Sequence, residues 1–174
     1  MTEQNLEDNA SMESNKKKPT LLVFLVVLSF IYQAYYLFDV IRAFITGPIS
    51  EEQMEMQRAA FYESMSQMQS QGMDGFIDFF EKLLRFIEYA NFEAFYLLNI
   101  TSLVSVLLGI TAVILMIKLK KIGFHLYVAY SLLPVILMYL IFPMEIISTF
   151  IVVSQIVIAA IFCVLYGLNL KHMD

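Results

Sequence analysis

Four apolar runs dominate the chain, at 20–46, 94–117, 124–142 and 146–167. Each is about as long as the roughly 20 residues that carry a helix across a bilayer, and each predicts a transmembrane span. The separators are short and chemically distinct. Pro19 opens the first run, where the missing N–H of a helix's first turn is not needed. Gly47-Pro48 closes it. A basic turn at 118–123, Lys118-Leu-Lys-Lys-Ile-Gly123, joins the second run to the third, with Gly123 expected to adopt the backbone angles that end a helix. Phe142-Pro143-Met144-Glu145 joins the third to the fourth, and Pro134 is expected to kink the third span by deleting a backbone hydrogen bond.

The connection at 47–93 has a different pattern. Ser50-Glu-Glu-Gln53 has capping-box spacing and predicts a helix start. Met54, Phe61, Met65 and Met68 then recur at helical spacing and form a methionine-rich stripe. Such a face suits either packing within the protein or docking to a partner, because methionine adapts to varied surfaces. Gln71-Gly72 predicts a break, with Asp74 as cap for a second helix. In that helix, Asp78–Lys82 and Glu81–Arg85 are spaced to pair along one polar stripe. Phe76, Phe79, Phe80, Leu83, Leu84, Phe86 and Ile87 cover the rest, a face expected on the membrane surface or against the bundle. The helix is expected to continue through Asn91 into the second span as one bent element.

Composition supports the membrane reading: 59% of residues are hydrophobic and 16% charged, with a mean hydropathy of +0.70. Soluble domains are nearer 45–50% apolar and about 25% charged. The first run is preceded by Lys16-Lys-Lys18, like a signal peptide, but it is too long for a signal core and lacks an Ala-x-Ala site, so it reads as a retained span. Charge then orients the chain. The lysines of the 1–19 tail, of the 118–123 turn and of the 168–174 tail fall on one side of four spans. The 47–93 connection carries nine acidic and three basic residues, a net of −6, on the other. The positive-inside rule therefore predicts cytoplasmic termini and an extracytoplasmic helical connection. The fold class expected is all-α, an integral membrane four-helix bundle.

Candidate chemistry is sparse. The chain has no zinc-protease, nucleophile-elbow or phosphate-loop motif. Cys163 is the single cysteine, and His125 and His172 lack carboxylate partners at helical spacing, so no catalytic residue, metal or cofactor is expected. Asp39 and Arg42 are the sharpest polar pair. An ionisable group inside a span can mark an ion path. Asp39, however, lies about 28 Å of helix beyond Thr20, near the far boundary, where it is expected to pair with Arg42 and solvate. Asn99 and Gln155 are candidate intramembrane polar groups. Two small-residue stripes, Thr101-Ser105-Gly109 and Ala159-Cys163-Gly167, predict that the second and fourth spans pack together. The tyrosines Tyr32, Tyr35 and Tyr36 read as an interfacial belt.

The segment Lys120-Lys-Ile-Gly-Phe-His-Leu-Tyr-Val128 resembles one found in small, uncharacterised four-span proteins of the bacterial inner membrane. That resemblance implies a bacterial inner-membrane setting and no activity. The expected function is non-enzymatic: an accessory subunit or scaffold in the lipid bilayer that binds another membrane protein or a second copy of itself. A small oligomeric channel or transporter using polar residues of spans 1, 2 and 4 is the alternative. No nucleic-acid footprint is present, because the few lysines lie beside apolar runs.

Overall fold

The structure, a computed structural model, describes residues 18–174 and is all-helical over them. Six α-helices follow in order: α1 (Thr20–Thr46), α2 (Glu51–Ser70), α3 (Ile77–Phe92), α4 (Phe95–Ile117), α5 (Lys121–Ile141) and α6 (Thr149–Gly167). Short 3₁₀ turns stand at Asp74–Phe76, Met144–Ile146 and Leu170–His172. Helices α1, α4, α5 and α6 are long and apolar enough to cross a membrane. The 1–19 tail lies outside the described residues except for Lys18 and Pro19.

Helix α1 covers the residues read as the first span, and Gly47 terminates it at φ 71°, a conformation that costs glycine little. The third starts three residues earlier than expected, at Lys121, and the fourth starts later, at Thr149, because Ile146 belongs to a 3₁₀ turn. Helix α5 continues through Pro134. Helices α3 and α4 are separate, broken at Glu93–Ala94, rather than one bent rod.

The basic turn is built differently from its sequence reading. Leu119, not Gly123, takes the left-handed conformation, at φ 59°. Gly123 lies inside α5, where a Cβ would sit 2.6 Å from the Met116 nitrogen and 2.8 Å from the Ala112 carbonyl oxygen. It therefore permits the first turn of α5 to cross the end of α4 with the two backbones almost in contact.

The interhelical pattern corrects a second expectation. Helix α4 packs extensively on α5 and α1, while α6 packs on α5 with a smaller contact to α1. Among the described residues, α4 and α6 share no comparable interface, so the two small-residue stripes do not form a main seam of the bundle. Gly109 faces Gln33 of α1 and Tyr130 of α5, and Gly167 faces Phe124 of α5. Short turns force α4 beside α5 and α5 beside α6, and the long 47–93 connection leaves α1 free to close on α4.

Two apolar clusters hold the bundle. At the end carrying the lysines, hereafter the basic end, Leu22, Leu25, Val26, Ala112, Val113, Met116, Leu119, Tyr127, Tyr166 and Met173 draw on all four spans. At the opposite, hairpin end, Met138, Phe142, Ile146, Ile147 and Val152 are covered by Phe86, Tyr89 and Ala90 of α3. The Phe86 and Phe142 rings stack there at 4.1 Å, and Phe79 meets Phe150 edge-on at 5.5 Å. The apolar face of α3 thus lies against the bundle, one of its two expected places.

Candidate functional site

Polar side chains within the membrane-spanning helices form a file along the bundle interior. Nearest the basic end, Ser29 Oγ of α1 and the Tyr166 hydroxyl of α6 share a buried hydrogen bond of 2.8 Å. The Tyr127 ring lies 4.6 Å from that of Tyr166, and Tyr130 follows 5.7 Å from Tyr127. One turn of α1 onward, Gln33 is only 1% exposed, and its Oε1 has no hydrogen-bond partner. A Cβ at Gly109 would lie 2.8 Å from Gln33 Nε2 and 2.9 Å from the Tyr130 ring, so the missing side chain at 109 makes room for the amide. Farther along, the Tyr36 hydroxyl donates to Ser102 Oγ at 2.9 Å. Ser105, also buried, donates to the Thr101 carbonyl at 2.7 Å, and Thr101 donates to the carbonyls of Leu97 and Leu98.

The sequence-predicted residues are distributed unevenly around this file. Ser105 and Gly109 are part of it; Gly109 faces α1 and α5, and Ser105 is buried with its hydroxyl bonded within α4. Asn99 lies higher on α4 and donates to the Phe95 carbonyl at 2.8 Å. Gln155 lies on α6, its Oε1 buried and without a hydrogen-bond partner. Cys163 is half-buried beside the basic-end cluster, and Ala159 is half-buried one turn away. Asp39 is half-buried and Arg42 exposed; the two form no ion pair among the described residues, contrary to expectation. The tyrosine belt also divides: Tyr32 and Tyr35 point outward, whereas Tyr36 turns in to Ser102.

The main omissions of sequence reasoning are Ser29, Gln33 and Tyr36 as a single inward face. A signal for them exists: Leu22, Leu25, Val26, Ser29, Gln33 and Val40 are the buried positions of α1 and recur every three or four residues, with Tyr36 in the same series. In lipid the polar positions of such a stripe are the informative ones.

Outside the spans, α2 and α3 form a helical hairpin. The capping box forms as expected: the Gln53 N–H donates to Ser50 Oγ at 3.3 Å, and the Ser50 N–H donates to Gln53 Oε1 at 3.2 Å. Met54 and Met65 are buried, Phe61 and Met68 half-buried, and Phe61 meets Phe80 of α3 at 6.4 Å. The proposed docking face is therefore turned inward and largely used within the hairpin. Lys82 pairs with Asp78 at 2.9 Å, but Glu81 and Arg85 do not pair among the described residues. A 3₁₀ turn, Asp74–Phe76, precedes α3, and Phe76 stands at the N-cap position of that helix.

A bridge between the two hairpin helices was not visible in the sequence: Arg58 meets Glu88 at 2.7 Å. The hydrogen bond and charge of Glu88 raise the Arg58 pKa above its ordinary value. Around this bridge lies a polar cleft of 350 Å³ lined by Arg58, Tyr62, Glu81, Leu84, Arg85 and Glu88. A second, mainly apolar cleft of 290 Å³ separates α3 from the start of α4, lined by Phe86, Ile87, Ala90, Asn91, Phe95, Leu98 and Asn99. Asn91 at its edge clamps the loop after Pro48. The Ile49 N–H donates to Asn91 Oδ1 at 2.9 Å, and Asn91 Nδ2 donates to the Ile49 carbonyl at 3.1 Å. Among the described residues no group of three or more His, Cys, Asp or Glu side chains is arranged to hold a metal ion. Compared with known proteins, the chain matches no family model, no curated sequence and no solved structure.

Proposed function

We propose that this chain is a non-enzymatic, multi-pass protein of the bacterial inner membrane that binds another membrane protein, as an accessory subunit or scaffold. Its hairpin end faces the extracytoplasmic side and its termini the cytoplasm. One observation carries the reading: the polar groups of the spans mostly bond to one another or to their own helices inside the bundle, while the ordered hairpin offers solvent a polar cleft with Arg85 unpaired among its described neighbours. Exposed arginine and tyrosine beside a rigid helix pair are the side chains that anchor protein interfaces.

Purification from native membranes in mild detergent tests this. A second protein in stoichiometric amount, lost with Tyr62→Ala or Arg85→Ala, is the expected result; a wild-type chain that elutes alone at native abundance rejects it. Orientation is tested separately with a membrane-impermeant maleimide in a Cys163→Ser background. Glu81→Cys is expected to react in intact cells and Lys120→Cys only after lysis.

A second reading, a small oligomeric channel or transporter, is favoured by the unpartnered acceptors of Gln33 and Gln155 within spans. It expects solute flux in liposomes that disappears with Gln33→Leu. A sealed wild-type preparation removes it.

A further inference from the structure

The basic end gathers cations that are distant in sequence. Lys118, Lys120 and Lys121 of the α4–α5 turn are all exposed, as are His125, Lys171 and His172. Main-chain hydrogen bonds bring the two groups together: Lys121 N–H donates to the Asp174 carbonyl at 2.8 Å, and Asp174 N–H donates to the Leu119 carbonyl at 2.7 Å. Buried Met173 and Asn169 hold the same segment against the bundle. Lys18, also exposed, precedes α1 at this end. His125 is already engaged locally, with Nδ1 3.0 Å from the Lys121 carbonyl oxygen. Asp174 is the one acidic residue at this end among those described.

The placement of these cations matters more than their number. Lys118 and Lys171 follow the ends of α4 and α6, where positive charge complements the helix dipole. Lys18, Lys120 and Lys121 stand at the starts of α1 and α5, where the dipole is itself positive and acidic side chains are preferred. Neither helix has an acidic residue in its first turn. This end therefore concentrates positive potential, from Lys18, Lys118, Lys120, Lys121 and Lys171, that Asp174 offsets only in part, and an external anion would relieve it. Exposed Ile122 and Leu168 sit within the same segments and give an adjoining apolar contact.

We propose that the basic end is a binding surface for anionic phospholipid headgroups, with Lys118, Lys120, Lys121 and Lys171 as the phosphate-contacting groups. The occupant is a lipid rather than a soluble phosphate because the cations edge membrane-spanning helices and have exposed aliphatic side chains beside them.

The test uses the full chain in nanodiscs of phosphatidylcholine containing a minor fraction of phosphatidylglycerol, with lipids bound to the protein counted by native mass spectrometry. Phosphatidylglycerol is expected to be enriched over phosphatidylcholine. Enrichment is expected to weaken with salt and to fall by roughly fivefold or less for each lysine changed to glutamine at 118, 120, 121 and 171. The corresponding Lys→Arg variants are expected to retain it, which separates lost charge from lost fold. Lys82→Gln, at the hairpin end, is expected to leave it unchanged. Equal retention of the two lipids overturns the proposal, as does enrichment that survives in the quadruple glutamine variant. Displacement of the lipid by millimolar inorganic phosphate in place of salt-matched chloride overturns the lipid assignment in favour of a soluble phosphate.

Discussion

Gly123 and Gly75 are the same residue under opposite constraints, and the difference is measurable. A methyl at 123 would press on main-chain atoms of Met116 and Ala112, which cannot rotate away, whereas nothing lies within 4 Å of a methyl at 75. Gly123→Ala is expected to destabilise the protein by about 1–3 kcal/mol through overpacking. Gly75→Ala is expected to leave stability within ~0.5 kcal/mol. Circular dichroism during titration of mixed micelles with dodecyl sulfate measures both. The Ser29–Tyr166 bond calls for a different design, since removing one partner leaves the other unsatisfied. A Ser29→Ala/Tyr166→Phe double-mutant cycle is expected to give a coupling of about 0.6 kcal/mol, and no more than ~1.7, the range of side-chain hydrogen bonds between membrane helices. No coupling would mean that the two hydroxyls are satisfied elsewhere.

At the scale of elements, the apolar face of α3 seats the hairpin on the bundle, and Asn91 of α3 adds a specific polar tie to the loop between α1 and α2. It satisfies both the N–H and the carbonyl of Ile49, which otherwise lie in a loop between two helices. Asn91→Ala is expected to cost about 1–3 kcal/mol, because it strands two main-chain groups at once. Hydrogen exchange should locate the effect, with faster exchange at Ile49 and in the first turn of α2 and little change in α5. Uniformly faster exchange would instead mean that the hairpin and bundle unfold together. The contrast between Asn91 and Ser50 shows what was legible. The capping box is local, so its spacing predicts its geometry, as does that of Asp78–Lys82. Asn91, Arg58 and the methionine stripe act between elements. Spacing places Met54 and Met65 on one face, but the chain returning as α3 decides what that face meets. Arg85 shows the same limit: a helical spacing to Glu81 permits an ion pair without forming one, because an exposed pair adds little free energy.

For the whole molecule, the bilayer makes the number of spans readable and their neighbours hard to read. Hydropathy is a property of each segment alone, so four candidate spans follow from the chain directly. Contacts between spans cannot be ranked by hydrophobicity when lipid solvates an apolar face as well as another helix does. Small-residue stripes on α4 and α6 therefore suggested a pairing that connectivity does not favour. The two short turns make α5 the neighbour of both, and Gly123 draws α5 close to α4. Helix α1, tethered by the long hairpin, then fills the other side of α4 with Gln33 and Tyr36 and reaches α6 through Ser29. Disulfide trapping discriminates the two arrangements. Tyr36→Cys with Ser102→Cys, in a Cys163→Ser background, replaces two side chains already joined by a 2.9 Å hydrogen bond across α1 and α4. Ser105→Cys with the native Cys163 spans α4 and α6. Copper-phenanthroline oxidation in native membranes is expected to crosslink the first pair and leave the second as free thiols, read by intramolecular mobility shift and maleimide counting. Efficient trapping of Ser105→Cys to Cys163 would place α4 and α6 face to face, and would displace α1 from the position that lets Gln33 fit over Gly109.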